Sequence, residues 1–137
     1  MRRIFAVLAG MILMFGLSWA VELADFQPHM KKAGRAVKAI KKQLKARNGA
    51  GAAKSAKAVA THFETMHKLW AADDITDAAD WSKEASAAAS EVASKATSED
   101  WEGAQVAVKT LGGTCRSCHR AHRGKKKDGD KVINFIK

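Results

Sequence analysis

Trp101, Ala104, Val108, Leu111, Cys115, Cys118 and His122 recur at steps of 3, 4, 3, 4, 3 and 4. That spacing lines one face of an α-helix. No other feature constrains the chain as much, because the apolar stripe runs without a phase break into two cysteines, the only two in 137 residues. Whatever those thiols do, they do it in register with the core side of a helix.

Three earlier segments repeat the pattern. From about Pro28 to Arg47, Met30, Ala33, Val37, Ile40 and Leu44 form a stripe. The opposite face carries Lys31, Lys32, Arg35, Lys38, Lys41, Lys42 and Lys45. Pro28, the only proline, suits the first turn of a helix, where its missing N–H is not needed. Asn48-Gly49 reads as a stop. From about Ala52 to Ala71, the stripe is Ala52, Ala56, Val59, Phe63, Met66 and Trp70. Asp73 to Asp80 reads as an acidic connection in which Asp77 or Asp80 caps a third helix. That helix places Trp81, Ala85, Ala88 and Val92 together, and its alanines permit close approach to neighbours. Thr97 to Asp100 then reads as the start of the fourth helix.

Four amphipathic helices with short connections predict an all-α fold, an antiparallel four-helix bundle. Gly112-Gly113 interrupts helix propensity at a cost of about 1 kcal/mol each. Two readings stand: room for a group lying close to the backbone, or a simple helix irregularity. After Arg123, residues 124–130 read as a solvated basic turn, with Val132 to Ile136 apolar enough to pack back on the bundle.

Cys115-Arg116-Ser117-Cys118-His119 has the Cys-x-x-Cys-His form used for covalent attachment of a c-type haem. Two thiols add across the vinyl groups on one porphyrin edge, and the imidazole next to the second cysteine binds iron. On a helix these three side chains share a face. Two other chemistries use the same atoms. Cys115, Cys118, His119 and His122 are zinc-ligand types, though structural zinc sites usually draw ligand pairs from separated segments. A Cys-x-x-Cys redox pair expects a βαβ context, and no strands are evident. The haem fits best with a chain this rich in alanine, since it supplies apolar bulk that the core lacks, and the cofactor-free chain is then expected to be poorly packed.

The first twenty residues support that reading. Arg2 and Arg3 form a basic n-region, Ile4 to Leu17 an apolar h-region, and Ser18-Trp19-Ala20 a cleavage site. The apolar run is short for a bilayer span. Residues 1–20 therefore read as a cleavable signal peptide and 21–137 as one exported domain. A lone cysteine pair in an exported chain would ordinarily suggest a disulfide, but a bridge within Cys-x-x-Cys closes too small a loop to constrain much. The formal charge is +10. Export argues against nucleic acid as the reason; the charge would steer an electron carrier towards acidic redox proteins, or it is equally a solvated lysine surface.

The segment Thr114 to Arg123, closing a four-helix chain, resembles class II c-type cytochromes, the cytochromes c′ and their low-spin relatives. The resemblance implies haem c held by Cys115 and Cys118 with His119 as the proximal iron ligand. The residue facing the other side of the iron is carried on the first helix in this family, and Met30 matches it. No methionine follows Met66, so a methionine ligand must come from upstream. A bound Met30 implies a periplasmic electron carrier rather than an enzyme. An unbound one implies a five-coordinate protein open to nitric oxide or carbon monoxide. Arg123 matches the family's basic residue beside the proximal face. The family's homodimers make a dimer one of the implied states, and no stable membrane insertion is implied after signal cleavage. The chain departs from the pattern with Phe26 where an arginine is common and His122 where an aromatic is common. That leaves His29, His62 and His67 as alternative distal ligands to weigh. A small zinc-binding helical module remains the reading from a different class.

Overall fold

The computed structural model describes residues 23–128 and 131–136, so the expected signal peptide lies outside the described residues. Four helices follow one another: α1 Leu23–Lys45, α2 Gly49–Ala72, α3 Thr76–Thr97 and α4 Trp101–His122. At 22 to 24 residues each, they are rods of about 33–36 Å with well-matched lengths. Among the described residues no helix is long and apolar enough to cross a membrane.

α1 begins earlier than its periodicity predicts, which places Pro28 inside the helix. The extra turn is held by a tertiary contact. Phe26 is 2% exposed and its ring stacks on Trp70 of α2, with centroids 4.2 Å apart. Burial of an aromatic pair outweighs the single backbone hydrogen bond that Pro28 removes.

The three links between helices share one geometry. In each, a residue with positive φ follows the helix: Arg47 at 51°, Asp74 at 58° and Glu99 at 58°. The next N–H reaches back five residues: Asn48 to Gln43 O (2.9 Å), Ile75 to Trp70 O (3.1 Å) and Asp100 to Lys95 O (2.9 Å). This is the Schellman arrangement, which satisfies the last carbonyls of a helix. The donor residue is also the N-cap of the following helix. Asn48 Oδ1 accepts from Gly51 N–H and Asp100 Oδ1 from Gly103 N–H, each at 2.9 Å. At α3 the cap is Ile75, with no side-chain bond, rather than Asp77 or Asp80. Asp77 instead sits within the first turn and accepts from Ala78 N–H.

Every residue of the predicted α2 stripe is buried. On α3, buried alanines at 78, 79, 85, 88, 89, 93 and 96 make a face of small side chains. α2 and α3 come close enough that Ser86 Oγ donates to Ala60 O across the interface at 3.2 Å. Gly49 shows the same closeness at the end of the pair, where a Cβ would run into the Ala96 carbonyl. α1 packs on α2 and α4 packs on α3, while α1 and α4 hardly touch. The four helices pack as a bundle with one seam left open.

Beyond the bundle, the tail is not the solvated turn the sequence suggested. Residues Arg123–Asp128 (β1) pair antiparallel with Lys131–Ile136 (β2), with Arg123 opposite Ile136 and Asp128 opposite Lys131. The missed signal is in the sequence, where a glycine-containing dipeptide separates two runs of six residues. The expected packing of Val132 to Ile136 on the bundle concerns side chains outside those described.

Left-handed backbone costs an L-residue about 1–2 kcal/mol and is worst for β-branched side chains. Glu99→Val is therefore expected to lower the unfolding free energy by about 1–2 kcal/mol, while Glu99→Gly leaves it equal or higher. Denaturant titration of both variants checks the link geometry; equal losses would show that the link does not hold its left-handed residue.

Candidate functional site

The open seam between α1 and α4 holds a cavity of about 310 Å³, at the low end for small-molecule sites. α1 contributes Met30, Ala33, Gly34 and Val37, and α4 contributes Leu111, Thr114, Cys115, Cys118 and His119. Phe63 of α2 and Trp81 of α3 form the inner wall. A second void of about 280 Å³, lined by Leu44, Lys45, Gln105 and Val108, continues along the same seam and shares Lys41 with the first. Of the residues singled out in the sequence, Met30, Cys115, Cys118 and His119 thus meet in one place.

The wall is apolar even where its residues are not. Ser82 and Thr114 line the cavity, but their hydroxyls donate to Ala78 O (2.9 Å) and Thr110 O (3.2 Å) of their own helices. They therefore offer carbon, not oxygen, to an occupant. Gly34 and Gly112 also line it, and a Cβ at either would meet no protein atom. α4 runs unbroken through Gly112 and Gly113, so these glycines are not a helix irregularity. Protein packing does not require them, and both are exposed where they border the cavity.

Both cysteines are free thiols. Burial pushes the Cys115 thiol up, and burial with the nearby Cys115 and Asp77 pushes Cys118 up to about 11. Thiols held protonated in apolar surroundings are poor zinc or redox thiolates. Burial, followed by the Arg123 charge, holds the His119 imidazole below its usual value, which keeps a nitrogen lone pair available. Two protonated thiols and one neutral imidazole thus share the α4 side of a cavity whose remaining wall is mostly apolar.

The other candidates lie elsewhere. Arg123 caps α4 through its N–H to His119 O, and its exposed side chain is not part of the cavity wall. His122 turns away to Asp77 Oδ2 at 3.0 Å, its ring between Trp70 and Trp81 with centroids 5.5 and 6.0 Å away. Desolvation alone raises the Asp77 carboxyl, but hydrogen bonds from His122 and the Ala78 N–H outweigh it and hold the group below the usual range. Among the described residues no group of three or more His, Cys, Asp or Glu is placed to hold a metal, so the four zinc-ligand types of the motif do not converge. His67 Nδ1 is 2.9 Å from Ala79 O, and His29 and His62 contact each other; none of the three lines the cavity.

Sequence reasoning missed Lys38 and Lys41 at the cavity, having read them as a solvated face. Their spacing from Met30, two and three turns along one helix, was the available signal.

No family model, curated protein or solved structure matches the chain.

Replacing a helical glycine with alanine gains up to about 1 kcal/mol where nothing clashes. Gly34→Ala and Gly112→Ala are therefore each expected to raise the melting temperature of the purified chain. A fall in either variant would show that protein atoms do use that space. A second expectation concerns acid. Burial, then the His29 and Lys32 charges, lowers the His62 pKa below 6.5 in the fold. Between that lowered value and 6.5 the unfolded chain binds the proton better, so stability falls as pH drops through this window. His62→Gln should flatten the loss, as read from melts at neutral and mildly acidic pH.

Proposed function

We infer that the chain is an exported monohaem cytochrome c of the class II kind, an electron carrier of the periplasm. Cys115 and Cys118 attach the haem, His119 is the proximal ligand and Met30 is the sixth. One observation carries this: a single apolar cavity is walled on the α4 side by both cysteines and His119 and on the α1 side by Met30. The packing of each helix on the next through three-residue links supports an antiparallel order, which sets α1 and α4 side by side around the cofactor.

A haem bound there supplies a one-electron couple at iron. The chain does the rest. The neutral His119 imidazole offers its lone pair, and the Met30 thioether offers a soft donor from the opposite wall. The apolar wall excludes water. At the rim, Lys38 and Lys41 present positive charge, which steers an acidic redox partner towards the opening. If Met30 stays unbound, the same cavity serves a five-coordinate protein that takes up nitric oxide or carbon monoxide.

The purified protein is expected to keep its haem after boiling in denaturant, because thioethers do not dissociate. Its oxidised form should show the methionine-to-iron charge-transfer band. Met30→Ala should abolish that band and open the reduced iron to carbon monoxide. Colour lost on denaturation would end the haem c reading altogether. A high-spin wild type would replace electron transfer with gas binding.

A further inference from the structure

Away from the cavity, two histidines from different helices meet nitrogen to nitrogen. His29 of α1 and His62 of α2 bring their Nδ1 atoms to 3.2 Å, with ring centroids 5.4 Å apart at an interplanar angle of 64°. With both rings neutral, one Nδ1–H donates to the other Nδ1 across the gap; a tautomer shift that places that proton on Nε2 of its own ring leaves a lone pair on each Nδ1. A tetrahedral ion with bonds of about 2.0–2.1 Å to imidazole spaces two nitrogens roughly 3.3–3.4 Å apart. The pair already has nearly that spacing.

We propose that His29 and His62 form a bidentate site for a borderline transition-metal dication of the zinc, copper or nickel class, bridging α1 and α2. Imidazole suits those ions, whereas calcium and magnesium seek oxygen ligands. Both side chains are half-buried, so an ion can reach the nitrogens from solvent. Two features limit affinity. Lys32 adds positive charge nearby, and no third His, Cys, Asp or Glu among the described residues completes the set. Solvent fills the other positions. His29 directly precedes Met30 and His62 directly precedes Phe63, so an ion here ties together two turns of the cavity wall. The site itself does not depend on the haem reading.

Calorimetric titration of the chelator-treated exported protein with zinc chloride at neutral pH tests this. One zinc per chain is expected, with a rise in melting temperature on zinc addition and no response to calcium. His29→Gln and His62→Gln should each weaken zinc by at least the roughly tenfold that loss of even an outer hydrogen-bond partner costs a metal site, and should abolish the thermal response. Absence of zinc uptake by the wild type overturns the proposal. So does uptake unchanged in either variant, which would move the ion to the cysteine motif.

Discussion

The packing of α2 on α3 is the contact on which the rest of the structure depends. Faces of alanine and serine let the two backbones approach closely enough for Ser86 to bond to a carbonyl on the neighbouring helix. Such faces bury little apolar volume per residue. The bulk comes from Val59, Met66 and Val92 of the pair, which are fully buried, as are Ile40 of α1 and Leu111 of α4. α1 and α4 each find a partner in this central pair and need not find one in each other. The seam between them is the geometric consequence, and the cavity lies in it.

The chemistry of the cavity follows from its burial. An apolar wall raises thiols and lowers an imidazole, since the charged form of each is disfavoured. Both shifts run against thiolate chemistry and towards neutral ligands. The hydroxyl protons of Ser82 and Thr114 are taken by carbonyls of their own helices, which leaves fewer donors at the wall. Gly34 and Gly112 forgo about 1 kcal/mol each of helix propensity without any packing need. A cost that no protein contact explains is understandable if something other than protein fills that space.

The periodicity showed most of the bundle because a 3.6-residue repeat is a local property. The stripe from Ala52 to Trp70 is buried as read; of the stripe from Trp81 to Val92, Ala85, Ala88 and Val92 are buried while Trp81 is half-buried at the cavity. Their ends were less legible. Phe26 is core because Trp70 is there to receive it, and nothing within α1 announces that contact. Arg47, Asp74 and Glu99 carry left-handed backbone without being glycine, so the links lacked the usual punctuation. The hairpin after α4 was masked by a lysine-rich run that reads as a solvated tail.

The candidate site divides in the same way. Residue types and spacing within one helix determined that Cys115, Cys118 and His119 share a face, because positions three and four apart lie one turn on along the same side. Met30 is 85 residues from Cys115, and only the tertiary structure decided that they face one cavity. The same holds for His122, whose motif-like spacing is overruled by Asp77 and two tryptophans from other helices, and for His29 and His62. Local repeats record what one helix presents. What lies opposite is settled by how helices pack, and that depends on side chains far apart in the chain.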